Sequence, residues 1–384
     1  MTRRILFYVS AMFFSVEGFS QNPSKVGLKF SGYLQAQFIS TQQNDKSHAN
    51  EFMLRRGRLK ADFFSLYKDS TPKVQFVFQM NATESGIEIK DLYATLFENK
   101  FKIFSLTAGL FVVPFGYEIT YSSSSRESPE RGRMAQQLIK GERDLGAMIS
   151  LKKSPAISFE GGIFNGGNSS VLTEFDNYKD IIARVSTNHN FLKNRFSLNA
   201  GLSAFYGGYK QNTIYINRYT DNSLITDSSL NNIGKKLPRH YYAGDLQISY
   251  NWIAGKSEAR AEYWFGTQSS NQSSFSTPYK LLNEPSFIRD FRGAIFYLLH
   301  KYKRHEFGIK YDFLDPNIKV KGASVRNAGD LKFSTFGVGY IYDINENAKV
   351  TAWYEMPKNE TSNLNGFNSD LKDNVFTFRL QVKF

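Results

Sequence analysis

From residue 376 to 384, within the last strand, apolar and polar positions alternate without a break. Phe376, Phe378, Leu380, Val382 and Phe384 fall on one face, and Thr377, Arg379, Gln381 and Lys383 on the other. The same period recurs along the chain. Phe196, Leu198, Ala200, Leu202 and Ala204 oppose Ser197, Asn199, Gly201 and Ser203; Leu246, Ile248, Tyr250 and Trp252 oppose Asp245, Gln247, Ser249 and Asn251; Phe307, Ile309, Tyr311 and Phe313 oppose Glu306, Gly308, Lys310 and Asp312. A period of two is that of a β-strand covered on one face. Read this way, the sequence predicts sixteen strands, near 26–40, 52–65, 72–81, 87–98, 102–112, 143–152, 155–164, 178–188, 195–209, 240–253, 256–266, 288–299, 304–315, 331–342, 347–357 and 373–384. The strands near 87 and 288 alternate poorly, which predicts a bulge or a shifted register in each.

The connections alternate as well. Tight turns at Asn99-Lys100-Phe101, Lys153-Ser154, Ala254-Gly255 and 343–346 interleave with long polar segments near 41–51, 113–142, 165–177, 210–239, 267–287, 316–330 and 358–372, and one connection, 82–86, is shorter than this pattern asks. Short turns at one end and long loops at the other are the pattern of an outer-membrane barrel. The predicted fold is therefore all-β, a transmembrane antiparallel barrel of about 16 strands with long external loops and short periplasmic turns. Lipid covers the outward apolar face, and charges on the other face suit a water-filled interior. A closing strand that stops on Phe384 fits this reading, because outer-membrane barrels usually finish on an aromatic residue that the insertion machinery reads.

The amino end names the compartment. Met1-Thr2-Arg3-Arg4 is followed by an apolar run from Ile5 to Phe14 and by the small residues Gly18 and Ser20. This predicts a secretory signal peptide over 1–20, with one barrel domain over 21–384. No later stretch reaches the ~20 apolar residues of a membrane helix. The residues between Gln21 and Val26 are too few for a plug domain. Aromatic residues make up 16% of the chain, 35 of them Phe and 22 Tyr, which suits a lipid-facing band with interfacial girdles. The absence of cysteine excludes a disulfide framework and thiol chemistry.

Of 48 basic and 35 acidic residues, the leader holds Arg3, Arg4 and Glu17, so 46 and 34 remain and the excess is +12. Such an excess attracts anions if it lines a pore, or lipopolysaccharide phosphates if it lies on outer loops; export argues against a nucleic-acid partner. Alternation places Arg56, Arg58, Lys60 and Asp62 opposite Leu59, Ala61 and Phe63. A cation on the lipid face costs about 2–4 kcal/mol at mid-membrane, so this row is expected inside, either as anion sites or paired across the lumen with Glu258, Glu262 or Glu306. The segment Val113–Glu142 is the third external loop, which in general porins folds inward. Its Arg126, Arg131 and Arg133, with Ser124 and Ser125 of a hydroxyl run, form a candidate anion-coordinating set, since guanidinium offers forked donors and hydroxyls replace lost water. The five histidines, at 48, 189, 240, 300 and 305, fall in or beside predicted loops and turns without metal-ligand spacing, so no cofactor or metal is expected. His240 beside Tyr241 is the one position a rim hydrolase could use.

The set Leu54-Arg55-Arg56-Gly57-Arg58-Leu59, Ile89-Lys90-Asp91-Leu92-Tyr93, Ala108-Gly109-Leu110-Phe111-Val112-Val113-Pro114-Phe115-Gly116 and Arg143-Asp144-Leu145-Gly146 resembles the phosphate-selective porin O and P family in order and spacing. The resemblance implies a sixteen-stranded trimeric channel that favours phosphate or other anions. It departs at Val112, where the family often has Lys, and at Gln79-Met80-Asn81, where it often has Asp. The expected activity is passive diffusion of small anions such as phosphate through an Arg- and Lys-lined channel in the outer membrane, among its lipids and lipopolysaccharide. The alternatives are a weakly selective general porin and a barrel hydrolase.

Overall fold

The computed structural model describes residues 26–43, 47–154, 156–167, 174–220 and 223–384; the leader predicted over 1–20 lies outside them. Nine strands run in order from the amino side: β1 (Val26–Gln42), β2 (His48–Leu66), β3 (Pro72–Thr83), β4 (Gly86–Phe97), β5 (Phe104–Val112), β6 (Arg143–Ser154), β7 (Ile157–Phe164), β8 (Asp180–Phe191) and β9 (Phe196–Lys210). After a short hairpin, β10 (Ile216–Thr220) and β11 (Ser223–Asp227), seven more follow: β12 (Lys236–Trp252), β13 (Gly255–Ser270), β14 (Ser286–Tyr302), β15 (His305–Asp315), β16 (Phe333–Asp343), β17 (Ala348–Asn359) and β18 (Val375–Lys383). Each long strand pairs antiparallel with its neighbour, β9 with β12 across the hairpin and β18 with β1, so sixteen strands close on themselves. Closure leaves these strands no open edge in the hydrocarbon layer, where an unpaired backbone group costs several kcal/mol. The seam runs from Tyr33 opposite Lys383 to Thr41 opposite Val375, and Gly32 and Phe384 exchange backbone hydrogen bonds of 3.1 and 3.2 Å just beyond it.

All sixteen predicted strands are present, because period-two patterning is a local property and survives any rearrangement of the loops. The irregular strand near 87 carries a bulge at Lys90, where the pairing skips from Gln79–Asp91 to Met80–Ile89. The expected bulge near 288 is not there: β14 keeps one register with both neighbours. Its alternation fails for another reason. The inward residues Phe291, Ile295, Tyr297 and Leu299 are apolar because they pack against protein inside the barrel. A bulge that alternation did not reveal lies on β2, where Gln35 faces Arg56, Ala36 faces Leu54, and Arg55 is the extra residue.

The loop between β5 and β6 (L3, residues 113–142) lies within the barrel, carrying the short helices α1 (Tyr117–Thr120) and α2 (Arg133–Leu138). Phe115, Ile119, Met134, Ala135, Leu138 and Ile139 of L3 join Phe164, Phe205, Tyr241, Trp264, Phe291 and Ile295 of the wall in the principal apolar core. The expectation of a simple water-filled interior is thus corrected: part of the lumen is a packed core. Burying each large side chain contributes about 1.5–3 kcal/mol, ample to hold the loop inside. The predicted loop 210–239 is structured too, because β10 pairs parallel with β14 from Ile216 opposite Ser286. Tyr219 of this hairpin packs with Phe287, Val320, Val325 and Leu331 in a separate external core, beside a fully buried Arg289–Asp330 pair at 2.7 Å. Five-residue strands carry too little alternation to be read from sequence.

Candidate functional site

L3 enters the lumen through Val113-Pro114-Phe115-Gly116. Gly116 adopts φ +63°, and a Cβ there would lie 2.1 Å from Glu262 Oε1, so only glycine lets the backbone come this close. Glu262 accepts from the Glu118 backbone N–H at 2.7 Å and from Trp264 Nε1–H at 2.5 Å. The Gly116 N–H donates to Ser203 Oγ at 3.0 Å. The Phe115 ring meets Trp264 edge-on at 4.8 Å, with Phe205 and Tyr241 around it. At the far end the Thr277 N–H donates to Gln137 O at 3.0 Å, and its hydroxyl to Leu138 O at 2.7 Å.

The opposite side of the loop is held by charge. Glu130 receives Arg55 at 2.8 and 2.9 Å, Arg56 at 3.2 Å and Arg379 at 3.1 Å. Burial pushes the Glu130 carboxyl up, but Arg56, Arg55 and Arg379 outweigh it and hold the group well below the usual carboxylate range. Arg260 grips Glu127 with two bonds of 2.9 Å. Gln35 Nε2 donates to Ser123 O at 3.1 Å and Gln381 Nε2 to Ser124 O at 2.9 Å. Arg131 folds back on its own loop, donating to the carbonyls of Glu118, Ile119 and Tyr121 at 2.6, 2.9 and 3.1 Å and pairing with Glu142.

Arg126 differs from these. It is 4% exposed, and none of its three guanidinium nitrogens has a hydrogen-bond partner among the described residues. Glu118, Glu142 and Glu130 act on it through charge alone. Buried donors are almost always bonded, so a guanidinium that is closed off from water and faces only carboxylate charge is an uncommon arrangement.

Two cavities flank the tip of L3, and Tyr121 and Ser124 line both. The larger, about 690 Å³, lies against β1–β7; its lining holds six cationic side chains, including Arg58, Lys60, Arg143 and Lys152, and three acidic ones, Asp91, Glu142 and Glu160. The smaller, about 320 Å³, lies against β13–β18 and is balanced, with five cationic and five acidic side chains.

Over residues 28–273 the sequence matches the family model described as phosphate-selective porin O and P. The chain belongs to that family. It is an outer-membrane porin, and the barrel, its inward loop and its charged lumen are the parts of such a channel. Similar solved structures include an anion-selective porin from Comamonas acidovorans, with 10% identity, a TM-score of 0.59 and coverage of 94% of this chain and 100% of that one. OprB of Pseudomonas putida aligns with 8% identity and a TM-score of 0.60 over 93% of this chain and 94% of its own. The outer membrane channel DcaP of Acinetobacter baumannii aligns with 13% identity and a TM-score of 0.57 over 96% and 99%. At these identities the likeness is one of fold. No curated protein sequence matches the chain.

The family segments meet inside the porin. Arg143 Nε donates to Asp91 Oδ1 at 2.8 Å, joining two of them, and Gly109 at φ +129° sits where a Cβ would be 2.3 Å from Leu92 O. The predicted site residues are divided. Arg56 is bound to Gln35 and Glu130; Arg58 and Lys60 line the larger cavity, Arg58 bonded to Gln79 at 3.0 Å and Lys60 paired with Asp62 at 2.9 Å. Of the two alternatives for this row, pairing across the lumen with Glu258, Glu262 or Glu306 is not what forms: Glu258 pairs with Lys256 and Arg260 on its own strand. Ser124 faces both cavities and Ser125 the smaller one. Arg133 lies apart from Arg126 and Arg131, its guanidinium 4.1 Å from the centroid of the Phe333 ring. His240 faces outward and stacks on Tyr206 at 4.3 Å while Tyr241 is buried inside, so the two cannot share a rim site.

Sequence reasoning missed Arg55, which strict alternation assigns to the lipid face; the bulge turns it inward. It also missed Arg379 and Arg143 as partners of the loop. The four adjacent letters Arg55-Arg56-Gly57-Arg58 were the available signal, since two neighbouring arginines on one strand cannot both face inward without a bulge.

Proposed function

We propose that this porin lets small oxyanions such as phosphate diffuse along the β1–β7 side of L3. The observation that carries the reading is the larger cavity, with twice as many cationic as acidic side chains. A cationic wall concentrates anions, and several moderate sites let them leave again. Arg58, whose Nε is without a partner, and Lys60 supply the wall; Arg56 and Arg131 chiefly hold the loop; Ser124 offers a hydroxyl at the tip. The anion selectivity named for the C. acidovorans porin fits this reading. Export would follow the leader predicted over 1–20, and the assembly would be a trimer, as one similar structure, OmpT of Vibrio cholerae, is described. Passage rather than a reaction is the activity. The balanced charge of the smaller cavity favours a second reading, weak overall selectivity, if that side conducts as well. The reversal potential in planar bilayers under a salt gradient separates the two: strong anion preference supports the proposal, and a potential near zero supports the second reading.

A further inference from the structure

On the outer wall a groove of about 520 Å³ crosses β7–β9 and β12–β14. Its floor is formed by small residues, Ala200, Gly244 and Ala261, between Leu202, Tyr263 and Phe296. A Cβ on Gly244 would meet only Leu202 Cδ2, at 3.6 Å, so the space over it is open. At the external ends of the same strands Lys236 stands directly opposite Lys210, both in line with the outward residues Tyr206, His240 and Tyr242. Like charges facing across a strand pair are unfavourable unless something negative sits over them. Neither lysine is in an ion pair among the described residues. The nearby Glu174 is bonded to Lys179, and Asp176 is buried, its carboxylate accepting from backbone N–H groups of Lys210 and Tyr178.

The Lys236 side chain, though exposed, leans down the wall. It lies along the wall over Gly208, whose Cβ would be 2.8 Å from Lys236 Cε, and its ammonium rests 5.4 Å from the Tyr178 ring centroid and 5.5 Å from that of Tyr206. This turns the cation toward the membrane at the level of the aromatic girdle, where lipid phosphates lie. From Lys236 to Gly244 is eight residues, roughly 26 Å at the rise of a strand, but the Lys236 ammonium reaches down to the Tyr206 ring opposite His240, and the four residues left to Gly244 are roughly 13 Å, which an acyl chain spans.

We infer that this face is a binding site for one lipopolysaccharide molecule of the outer leaflet, its phosphates on Lys210 and Lys236 and an acyl chain in the groove over Gly244. The long loops mark this end of the barrel as external, and that side of the outer membrane presents a lipid with both phosphates and several acyl chains.

The test uses the full folded porin in detergent, its fold checked by anomalous gel migration, titrated with rough lipopolysaccharide, with the same lipopolysaccharide deacylated, and with phosphatidylglycerol, and followed by native mass spectrometry. Intact lipopolysaccharide should bind best. K210Q/K236Q should weaken it roughly thirtyfold, since each lysine near an anionic lipid surface is worth about a factor of five. G244L, which fills the groove without backbone strain, should weaken intact lipopolysaccharide and leave the deacylated form unchanged. Wild-type affinity in K210Q/K236Q, equal binding of phosphatidylglycerol, or indifference to G244L would each overturn the assignment.

Discussion

On the β8–β15 side L3 meets Phe205, Tyr241, Trp264, Phe291 and Ile295; on the β18–β1–β2 side it meets Arg379, Gln35, Arg55 and Arg56. One loop is therefore held by two unlike walls. The apolar wall binds chiefly by area, to which Glu262 and Arg260 of β13 add directed bonds, and it leaves no space for a solute. The charged wall binds through a few directed bonds and has the larger cavity beside it, where cationic side chains outnumber acidic ones. The difference teaches a division of labour: the packed side fixes where the loop stands, and the charged side, whose contacts are exchangeable, is where ions can compete.

Breaking the packed side should have the largest effect. Phe115→Ala removes a fully buried ring from the Trp264–Tyr241 cluster, at a cost of about 3–5 kcal/mol, and should loosen L3 while leaving the barrel closed. Single-channel recordings should then show higher, fluctuating conductance with anion preference reduced; unchanged traces would mean the core does not set the loop. Next in size, Glu130→Gln leaves Arg55, Arg56 and Arg379 without their shared counter-charge, and since Glu130 is 29% exposed the loss is screened to about 1–3 kcal/mol. Anion preference should rise while the loop becomes noisier, the opposite sign to Phe115→Ala.

Arg126→Gln sharpens the contrast inside L3. It removes a charge that has no bonded partner, so folding yield should change less than in Arg131→Gln, whose wild-type side chain holds three loop carbonyls, while the reversal potential should shift toward cations. If both variants lose fold equally, Arg126 is a structural residue. Replacing Arg58 and Lys60 with Gln should weaken anion preference with little change in conductance, because neither residue touches the loop's anchors. The smallest effect is expected from Val112→Lys, which adds one cation to the lining of the larger cavity and should raise anion preference modestly in the same bilayer measurement.

Much of the barrel was legible before any coordinates. Strand faces follow from a two-residue period, and the inward position of Arg56, Arg58 and Lys60 follows from the cost of a cation in lipid. The site was legible only as a set of residue types. L3 was recognisable as a long Arg- and Ser-bearing segment, yet Arg126, Arg131 and Arg133 are alike in sequence and take three different roles: buried without a bonded partner, bonded to its own loop, and set against Phe333. Even the failed alternation of β14 held information, since an apolar inner face requires protein inside the lumen, but nothing local said which segment provides it.

The sequence by itself determined the closed barrel, its two faces and its loop asymmetry, because each depends on residues a few positions apart. Only the tertiary structure decided which cations are neutralised and which remain available. Glu130 meets Arg55 and Arg379 across 75 and 249 residues of chain, and whether a lumen arginine is a tether or a site depends on which carboxylate the folded loop brings within hydrogen-bond reach of it.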